Sequence, residues 1–561
     1  MVWRQTTLIL AFLISLLCVT SISFALSPPP RSIWRISDFS GSNLFNPVVF
    51  YINHEDTHDF PYEMGWRWNN VTLRFDLSQE QIRADLFNFE FSVPFKNYGT
   101  LEDPILTISA GNGNNLSIMV RNYTLDRLGT YTFVINSSVF KPGTENYINV
   151  YGVNINPIGY GTNPPNFQWS WISMVIFGNL TAPNITDIEL LKRTEAGAAK
   201  YFYEQSLANG FVKDVTNTPW SSIAATGFGL TSFTIMAERY NTAPYWNYTP
   251  EELRTRTNLI LDNFIDIQNK QKSDPNRYGV AGFFYHFIDS NGERQGTSEV
   301  STVDTAILVA GALTAGEYFG GEVKEKAETI FNNVNWSYFY DSSKKQFSHG
   351  WSPETGVFAW TWDRPSDETM LVTLLAIASD PGNIEFQKGF YSWPRVVNSY
   401  GNYTLVNSYF GSAFTYEFAH VWFDFQALGY DSPSSSGSAA PPVNWWNNSV
   451  DAVLASRQFS IDNAASYKTY GENSWGLTAC QRPSGVYEGL FGAKPCEYNN
   501  GNCYHDGTIC PYGSISAMPL SDGVLNKNLA FKTLRHYYDN YYWDLWGEYG
   551  PRDSFNYYGN F

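Results

Sequence analysis

The sequence predicts two domains in series: an antiparallel β-sandwich followed by an all-α domain built as a ring of helix pairs. Three observations predict it. Apolar residues alternate with a period of two up to about residue 180 and then switch to a period near 3.6. A chain of 561 residues that is 43% hydrophobic and 16% charged can build more than one large core. In its second half, apolar helical runs alternate with long Gly-, Trp- and Tyr-rich loops, and long loops in a compact domain are usually functional.

The leading segment "MVWRQTTLILAFLISLLCVTSISFALS" has one Arg, an apolar run and small residues before a cut after Ala25. It reads as a signal peptide over 1–25 and predicts a secreted or cell-surface protein. No other stretch is long and apolar enough to span a bilayer, so no stable membrane insertion is expected once the signal is cleaved. From 27 to 183, "VTLRFDL", "NFEFSVPF", "ILTISAG", "LSIMVRNY", "TYTFVINSS", "YINVYGVNI" and "SWISMVIFGNL" are short β-branched and aromatic runs punctuated by Gly, Asn and Pro, the texture of a sandwich. In texture alone it is similar to carbohydrate-binding modules, with a purely structural spacer as the alternative. Helices are expected at 187–209, 222–240, 250–271, 302–319, 322–333, 367–379, 443–460 and 524–540, within a domain running from 187 to 561. "DSPSSSGSAAPP" (431–442) reads as a flexible surface insertion or hinge.

Beyond Cys18 in the signal segment, the cysteines are Cys480, Cys496, Cys503 and Cys510, all within one stretch of the chain. In an exported protein they read as two disulfides with three possible pairings; His505 raises zinc as the alternative, but the spacings match no zinc ribbon or finger. Ten N-x-S/T sequons, at Asn70, Asn115, Asn122, Asn136, Asn179, Asn184, Asn247, Asn335, Asn402 and Asn447, permit a glycoprotein.

The net charge of −17 argues against a nucleic-acid partner, since phosphate binding needs a basic face. No P-loop, dinucleotide fingerprint, G-x-S-x-G elbow or H-E-x-x-H pair occurs. What remains is 17% aromatic residues and a series of carboxylates at loop–helix junctions. These are Glu299 and Asp304 in "TSEVSTVDT", Asp367 and Glu368 in "RPSDETMLVTLLAIAS", Glu472 in "YGENSWGLTAC", Asp506 in "HDGTI" and Asp553 in "LWGEYGPRDSFN". Each alone fits an N-cap or first-turn carboxylate, and Asp304 fits that role well. Together they share surroundings rich in aromatic and imidazole rings: His286, His349, Trp351, Trp362, His420, Trp422 and Trp475. Carboxylates ringed by aromatics suit glycoside cleavage, in which one carboxyl protonates the leaving oxygen, another serves the water or attacks, and flat rings hold sugars. Asp304, Asp367, Glu472 and the seven rings are therefore candidate substrate contacts. The histidines read as hydrogen-bonding or sugar-contacting groups rather than a metal set, so no metal or organic cofactor is expected.

"TGFGLTSFTIMAERY", "GFFYHFIDSNGERQGTSEVSTVDTAILVAGALTAGEYF", "SHGWSPETGVF", "DETMLVTLLAIAS", "AHVWFDFQ", "ENSWGLTAC", "DGTICP" and "LWGEYGPRDSFN" occur in this order. In them the chain resembles, from about 195 to 556, the glucoamylase-like family that includes bacterial endo-β-1,2-glucanases and a domain of cyclic β-1,2-glucan synthases. The resemblance implies an (α/α)6 barrel with its active site at the loop-rich end, and an exported glycoside hydrolase whose leading substrate is β-1,2-glucan. It implies that Glu299 and Glu368 occupy important acidic positions, with a further aspartate at Asp553, or at Asp506 as second choice. On this reading Glu368 is the general acid and Glu299 shapes the subsite or the water relay, and the reaction is linked to inversion through a relayed water. The family commonly continues past "DSFN" with an Asp-Gln-Gly-Pro segment, and the cysteine-rich and Ser/Pro stretches depart from its pattern. A non-catalytic glycan-binding protein on the same barrel and a β-glucan transglycosylase are the alternatives; a monomer acting on glucan or oligosaccharide is expected.

Overall fold

The computed structural model describes nine strands between residues 31 and 177, and residues 185–556 except 217, 241–247, 484 and 522–528. The signal segment 1–25 lies outside the described residues. Two compact units divide the chain: one holds Ile185–Tyr538 and the segment from Leu545, the other Ser27–Asn184 and Asp539–Asp544.

The amino-terminal strands are β1 (Arg31–Arg35), β2 (Val49–Ile52), β3 (Asn70–Asp76), β4 (Leu86–Val93), β5 (Ile105–Asn112), β6 (Asn115–Thr124), β7 (Gly129–Asn136), β8 (Glu145–Val153) and β9 (Trp171–Phe177). They form two sheets, ordered β1-β9-β4-β7 and β2-β3-β8-β5-β6. Every pairing is antiparallel, and the register shifts between Ala110 and Asn112 where β5 meets β6. The seven alternating runs of the sequence are β3 to β9. The short β1 and β2 carry too few residues to register as a pattern.

The second unit is helical. Its longer helices are α1 (Asp187–Glu204), α2 (Ile223–Arg239), α3 (Pro250–Gln271), α4 (Thr302–Phe319), α5 (Gly321–Asn332), α6 (Asp367–Ser379), α7 (Ile384–Phe390), α8 (Trp445–Asp462) and α9 (Leu529–Leu545). Helices α2, α4 and α6 are buried on nearly all sides and are apolar all round, as helices enclosed by others must be. Helices α3 and α5 instead bury one stripe, through Leu253, Ile260, Leu261 and Phe264 and through Val323, Ala327 and Ile330, and turn charged faces outward. The central contact is that of α2 with α4. A Cβ added at Gly227 would stand 2.4 Å from the Ile307 carbonyl oxygen, and one at Gly311 would stand 1.9 Å from that of Gly227. Only glycine permits this approach.

Each of the three enclosed helices starts after a serine. Ser222, Ser301 and Ser366 accept the backbone N–H of Ala225, Asp304 and Thr369, satisfying a first-turn donor that would otherwise be buried unpaired. Short ribbons lead into these starts: Ser221–Ser222 pairs with Phe287–Ile288, and Val300–Ser301 pairs with Gly350–Trp351. These ribbons gather the first turns of α2 and α4 at one end of the helical unit.

Two sequence-level expectations resolve here. The cysteines pair Cys480–Cys510 and Cys496–Cys503. The Ser/Pro stretch 431–442 is closed at its base rather than hinged: Asp431 pairs with the buried Arg395 at 2.7 Å, accepts from Val443 N at 2.9 Å and from Trp445 Nε1 at 2.9 Å. A composition-based reading misses that clamp because its partners lie on either side of the Ser/Pro run and far upstream.

Candidate active site

The centre of the site is an imidazole between two carboxylates. His286 and Glu299 face each other across neighbouring extended segments, where His286 N donates to Glu299 O at 2.8 Å. Their side chains meet on one face, with Nδ1 3.1 Å from Oε1 of Glu299. Nε2 lies 3.7 Å from Oδ1 of Asp304, in the first turn of α4. Phe287 stacks on the imidazole at 3.8 Å. Asp304 also takes a short hydrogen bond from the Ser301 hydroxyl on its other oxygen, so it serves both the helix start and the charge cluster.

Electrostatics follow from this geometry. Burial disfavours the imidazolium, but Asp304, Glu299 and Asp214 together outweigh burial and push His286 up to about 9. Burial raises Glu299, and the His286 hydrogen bond and charge, with Arg294 behind them, hold it below the usual carboxylate range. Asp214, on the loop between α1 and α2, is raised by burial, partly offset by His286 and reinforced by Asp304. Tyr201 fixes that loop by donating to the carbonyls of Lys213 and Asp214 at 3.1 and 3.0 Å.

Glu368 is the second residue of α6. It keeps part of its surface open, yet the protein around it is dense enough to push its carboxyl up to about 8, with the Asp304 charge adding to the effect. Its neighbour Asp367 is fully buried and accepts Ala419 N at 2.7 Å. Asp553 arrives from the carboxy-terminal segment. Burial drives its pKa well up, Gln481 N opposes this by donating to Oδ2 at 2.5 Å, and Asp214 adds to the rise.

The fold thus brings Asp214, His286, Glu299, Asp304, Glu368 and Asp553 within electrostatic reach of one another. One flank is aromatic: His349 stacks face to face on Trp362 at 3.7 Å, and Trp362 Nε1 donates to Thr302 at the start of α4 at 2.9 Å. Trp351 lies on the strand paired with Val300, half-buried and 6.5 Å from Tyr285. Beyond them Trp360 is exposed and stacks on Phe358.

Other sequence candidates are placed elsewhere. Asp367, His420 and Trp475 are closed to solvent, so a sugar cannot touch them; His420 pairs with Ser449 at 2.9 Å, and burial lowers it to about 3, leaving it neutral. Trp422 packs on Phe228 and donates to Thr231 inside α2. Glu472 is exposed and pairs with Arg457 at 3.0 Å. Asp506 caps its own turn through Thr508 N and stands 3.7 Å from Arg482. Asp214 is the member that sequence reasoning missed. It stands in "FVKDVTNTPW", outside every motif and far upstream of the other carboxylates, so no local signal marks it.

Ligating atoms of His286, Glu299 and Asp304 all lie within 4.8 Å of one another, a spacing that a cation could bridge. With the imidazole protonated, its own positive charge already supplies the counter-charge that a metal would bring.

Comparison with known proteins agrees with this architecture. Residues 360–560 match the family model described as putative glucoamylase. An exo β-1,2-glucooligosaccharide sophorohydrolase (non-reducing end) of Parabacteroides distasonis is 25% identical over 414 residues, covering 66% of this chain and 52% of that protein. The chain therefore spans about half the length of that curated relative. A β-1,2-glucanase structure from the same organism superposes with a TM-score of 0.55 at 15% identity, covering 94% of this chain and 90% of that one. An endo-β-1,2-glucanase of Chitinophaga pinensis, complexed with sophorotriose and glucose, superposes at 0.54 with 19% identity, covering 66% and 87%. The likeness to these solved structures is one of fold. This chain is similar to the glucoamylase-like proteins that include the endo-β-1,2-glucanases.

Proposed function

We propose that the protein is an exported glycoside hydrolase that cleaves β-1,2-glucan or its oligosaccharides with paired carboxyl groups, on an (α/α)6 barrel preceded by a β-sandwich. The observation that carries this reading is the opposed protonation of the site. Glu368 holds its proton up to about pH 8, while Glu299 is kept ionised beside the His286 imidazolium. A glycosidase needs such a pair, one carboxyl able to give a proton and others able to take one.

In the mechanism, Glu368 donates its proton to the glycosidic oxygen as the bond to the anomeric carbon breaks. Positive charge building on the sugar ring is stabilised by the negative carboxylates around it. Water adds to the anomeric carbon and its proton passes into the relay shaped by Glu299, the carboxylate kept ionised beside His286. Glu299 and His286 orient the sugar or the relayed water, and Asp214 and Asp304 set their charge. The His349–Trp362 stack supplies a flat face for a pyranose ring. The sugar-active names of the relatives support the substrate class.

The test is reducing-end release from a panel of purified glucans, β-1,2-glucan included, by wild type beside Glu368→Gln. Release from β-1,2-glucan that disappears in the variant is expected. A folded wild-type protein that releases nothing from any glucan would overturn the reading.

A further inference from the structure

The cysteine-rich stretch builds one feature that the mechanism above does not use. Strands Cys480–Gln481 and Tyr487–Glu488 form a small hairpin, with Gln481 opposite Tyr487. Arg482 N donates to Val486 O at 2.8 Å, so the next pair, Gln481 with Tyr487, is the non-hydrogen-bonded kind whose side chains stand close on one face. The outward backbone groups of Gln481 are therefore available to another segment. Asp553 accepts its N–H at 2.5 Å, and the Ser554 hydroxyl donates to its carbonyl. The hairpin edge is thus tied directly to a carboxylate of the site.

The rest of the hairpin is braced as well. Cys480 is joined to Cys510. Arg482 bridges Glu488 at 2.9 Å and the Tyr504 hydroxyl at 2.6 Å, with its guanidinium over the Phe491 and Tyr504 rings. On this fixed support Tyr487 leaves 66% of its surface exposed, and Val486 beside it 62%. The phenol nevertheless lies within reach of the charges of Glu368, Asp553, Asp214 and Asp304. Because Tyr487 stands opposite Gln481, whose N–H is held by Asp553, the exposed ring lies on the hairpin that borders the carboxylate cluster.

We propose that this hairpin is a substrate-binding element in which Tyr487 stacks on a glucose ring held beside Asp553, with the Gln481 amide on the same face meeting the sugar hydroxyls. The inference rests on the glycoside hydrolase reading above. A neutral polyhydroxyl ring fits the place: the carboxylates repel anionic ligands, and an exposed aromatic face gains by covering the apolar face of a pyranose. Rigid bracing is what a stacking residue requires, because a ring fixed beforehand loses little freedom on binding.

The experiment compares Tyr487→Ala and Tyr487→Phe with wild type on a β-1,2-linked glucose pentamer. Tyr487→Ala is expected to raise KM about tenfold, with the loss falling on KM rather than kcat, and Tyr487→Phe to stay within about twofold of wild type, because stacking needs the ring and not the hydroxyl. An unchanged KM in Tyr487→Ala, or equal losses in the Phe and Ala variants, would overturn the inference. Calorimetric affinity of the same pentamer for Glu368→Gln, with and without Tyr487→Ala, separates this from the functional reading. Absent turnover by wild type would sink the hydrolase. Undiminished or absent pentamer affinity on this calorimetric comparison would sink the Tyr487 platform.

Discussion

Replacing Glu368 by Gln tests the site through stability as well as turnover. The protein holds the Glu368 carboxyl at about 8 rather than 4.5, so ionising it is harder in the fold than in the unfolded chain. For a raised carboxyl, the native state binds more protons than the unfolded state between those two values. Stability is therefore fullest below the lower value and falls as pH rises toward the upper one. At roughly 1.4 kcal/mol per tenfold change, the penalty is about 3 kcal/mol at pH 7 and under about 1 kcal/mol at pH 5. Glutamine has no proton to lose and escapes it. The advantage of Glu368→Gln over wild type should accordingly grow by about 2 to 3 kcal/mol between pH 5 and pH 7, read by urea unfolding of both proteins. Turnover should fall by about 10²- to 10⁴-fold, the range for loss of a general acid. Wild-type kcat/KM should also decline above about pH 8 as the acid deprotonates. A stability difference independent of pH, or near-normal turnover in the variant, would refute the assignment of Glu368 as a buried acid.

The other predictions concern the groups around it. His286→Gln leaves Glu299, Asp304 and Asp214 without their shared cation and should lower stability at pH 6 by about 1 to 3 kcal/mol, discounted for partial exposure. Because the His286 contribution is complete below 6.5 and lost as pH rises through about 9, urea midpoints of variant and wild type should converge at higher pH. Gly311→Ala forces a methyl against the Gly227 carbonyl and should lower stability by at least about 3 kcal/mol, seen as a reduced thermal midpoint. The Cys480–Cys510 bridge closes 30 residues and Cys496–Cys503 only 7. Paired Cys→Ser replacement should therefore cost about 3 to 4 kcal/mol at the first and about 2 kcal/mol at the second, a difference that urea unfolding resolves.

The sequence by itself determined the period switch and the helices. Segments expected at 302–319 and 367–379 are α4 and α6 as observed, because apolar runs after a serine and an acidic first turn state a helix and its start together. Strands β3 to β9 were legible for the same local reason, alternation between turn residues. Resemblance along ordered motifs implied a barrel and pointed to Glu299, Glu368 and Asp553, with Asp506 as second choice. Boundaries failed where tertiary contacts decide them: α1 ends at Glu204, short of the expected 209, as the chain turns to bring Asp214 inward.

Only the tertiary structure decided which carboxylates meet. Asp367 and Glu368 are adjacent in sequence and identical in promise, yet α6 buries the first and leaves the second partly open within reach of Asp304, since successive helix positions point about 100° apart. Asp214 and Asp553 are far apart in the chain, yet the charge of Asp214 reaches Asp553, a relation that no local pattern encodes. His420 and Trp475 look like sugar contacts in their motifs and are core residues in the fold. The protonation of Glu368 and of His286 likewise depends on burial and on neighbours distant in sequence. Local pattern sets secondary structure because its forces act within a few residues; a catalytic site is set by long-range packing.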